Sequence, residues 1–119
     1  MSRILIVEDD AWQREHVASL LTKHGYTVKE SPHALDAINS IDTFGPDAIV
    51  LDLMLPGANG LVLLHELQSH SDLASIPIVV MSTRSDVDAK SLVVYGVKVV
   101  LDKATMQPSD LLSALRKVL

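Results

Sequence analysis

Short runs of Val, Ile and Leu that each deliver a polar residue at or just past their carboxyl end constrain this chain more than any other feature. Ile4-Leu5-Ile6-Val7 leads to Glu8 and Asp9, and Ala48-Ile49-Val50-Leu51 leads to Asp52. Ile78-Val79-Val80-Met81 leads to Ser82, and Val99-Val100-Leu101 reaches Lys103 one residue later. Apolar runs of this length read as strands buried on both faces, the signature of a parallel sheet. In open α/β sheets, ligands bind outside the carboxyl ends of the strands. Three carboxylates, a hydroxyl and an ammonium are therefore expected at one sheet edge. That set suits a divalent cation and a phosphoryl group.

Between these runs the pattern alternates strand and helix. Arg3–Val7 reads as the first strand, and Ala11–His24 as a helix stopped by Gly25. Tyr26–Glu30 is more polar and reads as an edge strand. Ser31-Pro32 is expected to open a helix running to about Ile41, since Pro suits the first helical position. Ala48–Leu51 is a central strand, Leu61–Ser69 a helix, Ile76–Met81 the fourth strand and Lys98–Leu101 the fifth. Asp86–Tyr95 reads as a helix ended by Gly96, and Pro108–Leu119 as the last helix, with Arg116 and Lys117 where the helix dipole prefers cations. Five βα units in series imply right-handed crossovers and a single α/β domain over residues 1–119.

Composition narrows the chemistry. A net charge of −5 with only 3% aromatic residues supplies neither the basic stripe nor the stacking platforms of a nucleic-acid binder. No Cys is present, so thiol catalysis and thiolate metal sites are excluded, and no stretch has the length of a transmembrane helix. The five His residues (16, 24, 33, 65 and 70) share no metal-ligand spacing and read as surface residues. Clustered carboxylates such as Glu8 and Asp9 repel unless a cation sits among them, whereas Asp10 reads as the N-cap of the next helix. Asp52, at the end of a buried strand, is costly without a partner. Capping is its bland role, but the following Leu53-Met54-Leu55-Pro56-Gly57 does not start a helix at once. A carboxylate so placed can attack a phosphoryl group, with cation and ammonium neutralising the transferring oxygens. Taken alone, Ser82 and Thr83 are turn residues and Lys103 a solvated lysine; their common position at the strand ends makes them candidates. Trp12 fits a rim or partner contact and plain packing equally.

The strings Ile4-Leu5-Ile6-Val7-Glu8-Asp9-Asp10, Ile49 through Gly57 with Asn59-Gly60, and Ile76 through Ser82, together with Gly96 seven residues before Lys103, carry a specific likeness. Across essentially its whole length the chain resembles a response-regulator receiver domain, the phosphoacceptor module of bacterial two-component signalling. The resemblance implies a flavodoxin-like, doubly wound five-stranded parallel sheet of order 2-1-3-4-5 with five helices. It implies Asp52 as phosphoacceptor, and Asp9, Asp52, the Met54 backbone carbonyl and, largely through water, Glu8 around Mg²⁺. Ser82 matches the hydroxyl that turns toward the acyl phosphate, and Lys103 the lysine that pairs with a phosphoryl oxygen. The donor would be a phosphohistidine on a sensor histidine kinase or histidine phosphotransfer protein. The domain would be cytoplasmic and would phosphorylate and dephosphorylate itself rather than turn over as an enzyme.

The chain departs from that pattern in two places. Ala104 stands where the family usually has a proline after the lysine, often in cis, so a trans bond and a differently shaped loop are expected. Val100 stands where an aromatic ring usually couples the hydroxyl to the distal surface. Bulky Met54 and Arg84, near the path of the hydrolytic water in the family, lead to an expectation of slow autodephosphorylation. Leu92, Val93, Val94, Tyr95 and Val99 give the face of the helix over Asp86–Tyr95, the fifth strand and the last helix an apolar character suited to a homodimer or partner. An aspartyl phosphatase of the haloacid dehalogenase type would need a second Asp where Met54 stands. A degenerate receiver, working as a phosphorylation-independent interaction module, is the alternative: Val100 and Ala104 favour it, and the intact acid, hydroxyl and lysine set opposes it.

Overall fold

A computed structural model describes residues 2–52, 60–70, 72–82 and 92–119. Its elements, in chain order, are β1 (Arg3–Val7), α1 (Ala11–Lys23), β2 (Thr27–Ser31), α2 (Ala34–Phe44), β3 (Ala48–Asp52), α3 (Gly60–Gln68), β4 (Ile78–Ser82), a 3-10 turn (Val93–Tyr95), β5 (Val97–Asp102) and α4 (Pro108–Val118). The strands form one sheet of order β2-β1-β3-β4-β5, with every neighbouring pair parallel. Four α-helices fall among the described residues. Most of the helix expected over Asp86–Tyr95 lies outside them; its end is the 3-10 turn.

Alternation along the strands divides the core into two layers. Leu5, Val7, Ile49, Leu51, Ile78 and Val80 pack toward α2 and α3, against Ala37, Ile41, Leu63, Leu64 and Leu67. Ile4, Ile6, Ala48, Val50, Val79 and Met81 face α1 and α4, against Ala18, Leu21, Leu111 and Leu115. All of β1 beyond Arg3, and all of β3 and β4, are buried, as strands covered by helices on both faces must be. β2 carries the exposed Lys29 and Glu30 at the sheet edge, in agreement with its polar sequence.

The start of the second helix differs from expectation. Ser31 is not a cap: it is the last residue of β2, opposite Val7, and its carbonyl accepts a hydrogen bond from Glu8 N at 3.1 Å. Pairing with β1 keeps the chain extended through Ser31. His33 takes the N-cap instead, its Nδ1 accepting from Asp36 N. The helix runs on to Phe44 and stops at Gly45, whose φ of 64° is the left-handed conformation that favours glycine. At the last helix, Pro108 occupies the first turn, and Gln107 and Asp110 form a reciprocal capping box. Gly96 turns the chain into β5 at a φ of 83°, where a Cβ would also lie 3.5 Å from the Ala74 carbonyl.

Leu115 is fully buried and Leu35 is 63% exposed. Leu115→Ala is expected to cost about 2–5 kcal/mol in urea unfolding, and Leu35→Ala less than about 0.5 kcal/mol.

Candidate functional site

The carboxyl ends of β1, β3 and β4 bring together residues that are far apart in sequence. Val7 pairs with Leu51, which places Glu8 and Asp52 side by side at the sheet edge. Asp52 lies opposite Met81, so Ser82 stands one residue beyond it on the adjoining strand. Lys103 follows the end of β5, and its backbone N–H donates to the Ser82 carbonyl at 2.9 Å. Glu8, Asp52 and Ser82 are buried, and Asp9 is exposed.

One ammonium organises the cluster. Lys103 Nζ pairs with Glu8 Oε1, lies 3.2 Å from Asp52 Oδ2 and donates to Gln13 Oε1 at 2.9 Å. One carboxylate oxygen from each of Glu8, Asp9 and Asp52 can be chosen so that all lie within 4.8 Å of one another. Glu8 Oε2 is buried and has no hydrogen-bond partner among the described residues. Oxygen ligands this close, one unpaired and one open to solvent, fit a hard divalent cation. Met54, whose carbonyl the resemblance assigns to that cation, lies outside the described residues, as do Thr83 and Arg84.

The electrostatics follow from burial. Removal from water pushes the Glu8 carboxyl from its ordinary 4.5 up to about 7; hydrogen bonding to Asp52 adds to the rise, and the Lys103 ammonium opposes it. For Lys103, burial alone would lower the pKa, but the hydrogen bond to Glu8 and the charges of Asp52 and Glu8 leave it raised. The ammonium is therefore firmly held.

Asp10 caps α1, as its sequence position implies, its Oδ1 accepting from Gln13 N at 2.9 Å. Two site residues were not singled out by sequence reasoning, Gln13 and Arg14. Arg14 Nη1 donates to the Glu8 carbonyl at 2.9 Å, and its Nε pairs with Glu30 at 3.4 Å, tying α1 to β1 and β2. Their signal was present: both follow the Asp10 cap within the first helical turn, beside the acidic pair. Trp12 is 74% exposed and stacks on His16, with ring centroids 5.6 Å apart. It stands over a cavity of about 380 Å³ between α1 and α4, also lined by Val17, Met106 and Leu111 and reaching Gln13 and Lys103.

The loop after β5 has a physical account that needs no proline. Ala104 N, a donor that proline lacks, bonds to Asp102 Oδ1 at 2.9 Å, and no described peptide bond is cis. Val100 is half-buried against the α2 and α3 layer, together with Tyr95, whose ring meets His65 edge to face. Of the apolar residues beside β5, Leu92 is buried, and Val93 and Val94 are exposed. No helix among the described residues is long and apolar enough to cross a membrane.

Comparison with known proteins agrees with this geometry. The family model described as the response regulator receiver domain matches residues 4–116. Response regulator MprA of Mycobacterium ulcerans is 38% identical over 88 residues, which make up 74% of this chain and 37% of that protein. The phosphate regulon transcriptional regulatory protein PhoB of Escherichia coli is 37% identical over 84 residues, 71% of this chain and 37% of that protein. The chain thus matches little more than a third of the length of either relative. Among solved structures, chemotaxis protein CheY4 of Vibrio cholerae superposes with a TM-score of 0.91 at 25% identity, covering 100% of this chain and 99% of that one. The signal receiver domain of a signal transduction histidine kinase from Syntrophus aciditrophicus gives 0.85 at 26% identity, covering 99% and 89%.

Between about pH 4.5 and about 7, folded Glu8 holds a proton that the unfolded chain releases. In the absence of divalent cations, stability is expected to fall as pH rises through that window and to level off above it. Glu8→Gln, which fixes the neutral form, should remove this part of the fall. Urea midpoints across the window check it, and an unchanged slope in the variant would show that Glu8 is not its source.

Proposed function

The chain belongs to the response regulator receiver domain family, and from that premise we propose that it takes a phosphoryl group from a phosphohistidine onto Asp52. The observation that carries this reading is the buried Asp52 carboxylate, 3.2 Å from Lys103 Nζ and grouped with Glu8 and Asp9. The donor is a sensor histidine kinase or histidine phosphotransfer protein, met in the cytoplasm. Glu8, Asp9, Asp52 and the Met54 carbonyl would hold Mg²⁺, which when bound offsets the negative charge of the phosphoryl oxygens.

An Asp52 carboxylate oxygen attacks phosphorus. The phosphorus–nitrogen bond breaks, and its electron pair stays on the donor imidazole, which takes up a proton. An acyl phosphate remains on Asp52. The Lys103 ammonium, held in the site by its neighbours, pairs with a phosphoryl oxygen, and the Ser82 hydroxyl donates to another. Hydrolysis reverses the modification: water attacks phosphorus, and inorganic phosphate leaves Asp52. The chain is a signalling switch that carries this group rather than a turnover enzyme. Its readout is a change in protein contacts, for which the exposed Val93 and Val94 beside β5 offer an apolar face to a partner or a second copy.

Incubation with Mg²⁺ and a small phosphodonor is expected to add one phosphoryl group to the wild type by intact mass and none to Asp52→Asn. Chelation of the cation should abolish the gain. No gain with several donors would favour a phosphorylation-independent interaction module. Lys103→Met is expected to slow the gain on the order of 100-fold, the usual loss for one charge-stabilising donor. The phosphorylated form should persist for minutes or longer, and decay within seconds in a mass time course would contradict slow hydrolysis.

A further inference from the structure

Among the described residues, Gln13 is the one neutral side chain of the three that partner the Lys103 ammonium. An ammonium has three donor hydrogens and accepts nothing. Lys103 Nζ meets Glu8 Oε1, Asp52 Oδ2 at 3.2 Å and Gln13 Oε1 at 2.9 Å, one oxygen for each hydrogen. The amide must turn its oxygen to the ammonium, because its NH₂ group would set donor against donor.

We propose that Gln13 is a positioning residue for phosphoryl transfer, anchoring the Lys103 ammonium while both of its carboxylate partners also serve the cation and the phosphoryl group. This rests on the receiver reading above. In that reading Glu8 and Asp52 serve the cation and the phosphoryl group, so both anionic contacts of Lys103 are drawn on during the reaction. Gln13 lies outside the carboxylate cluster, and its amide oxygen is left to Lys103 alone among these contacts. Its backbone is fixed independently: Gln13 N donates to the Asp10 cap at 2.9 Å. Arg14, the next residue, donates to the Glu8 carbonyl at 2.9 Å, fixing the helix against the strand that carries Glu8. The need for an anchor is also visible. Lys103 and Gln13 both line the cavity of about 380 Å³ beneath Trp12, which gives an untethered lysine chain room to swing away from Asp52. An anchor of this kind acts on the transfer step rather than on donor capture.

The test compares wild type, Gln13→Met (similar length, only a weak thioether acceptor), Lys103→Met and the double variant. The probe is phosphoramidate with saturating Mg²⁺, the readout intact mass over time at several donor concentrations. Urea midpoints establish that each variant is folded. Gln13→Met should lower the maximal rate on the order of 10-fold, the low end of the loss expected for one hydrogen bond to a charged group, with half-saturating donor concentration unchanged. In the Lys103→Met background it should cause no further loss. The Lys103 ammonium NMR signal should be visible in the wild type and broadened by faster hydrogen exchange in Gln13→Met. An undiminished maximal rate in Gln13→Met, or an equal loss with and without Lys103, overturns the proposal while leaving the receiver reading standing. A wild type that gains no phosphoryl group overturns both.

Discussion

Burial of the sheet on both faces is the constraint from which the rest of this molecule follows. Strands packed between two helical layers have no room for charge along their length, so polar groups collect where the strands end. Glu8, Asp52 and Ser82 are buried there nonetheless. Such a group of charges is tolerable only with close opposite charge, because desolvation costs several kcal/mol for each ion. Lys103 supplies that charge from just past the end of β5, the strand farthest from β1 in the sheet. The ion cluster therefore ties β1 and β3, inside the sheet, to the β5 edge, and sheet geometry and site geometry are a single problem.

The site consists of two tiers with different duties. Glu8, Asp9 and Asp52 present oxygens that repel one another and leave one Glu8 oxygen without a partner among the described residues. Around them, Asp10, Gln13 and Arg14 are satisfied by specific bonds to backbone and side chain. The first tier concentrates the negative charge, and the second fixes the backbone and the ammonium around it. A carboxyl pushed up to about 7, as Glu8 is, records how strongly burial has desolvated the first tier.

Runs of β-branched residues made the strands legible, and their ends located five of the six proposed site residues, Glu8, Asp9, Asp52, Ser82 and Lys103, at one edge of the sheet. Met54, the sixth, lies outside the described residues. What sequence reasoning misjudged depended on pairing. Ser31 before a proline looks like a helix cap, and only its register opposite Val7 makes it the last strand residue. His33 then caps α2 through a ring nitrogen, a role its residue type does not advertise. Gln13 and Arg14 were missed for a related reason. Both are ordinary polar residues on a helix, and their importance comes from a lysine and a carbonyl that the fold brings to them. Ala104 illustrates the converse: the loss of a proline leaves a backbone N–H, and Asp102 uses it to shape the turn.

The peptide bond between Asp102 and Lys103 is hydrogen-bonded through its N–H to the carbonyl of Ser82. The hydroxyl-bearing and ammonium-bearing residues are thus the two arms of one latch. The contact runs from backbone to backbone, with no side chain as intermediary. With Val100 on β5 itself, this latch joins the two strand ends through the main chain alone.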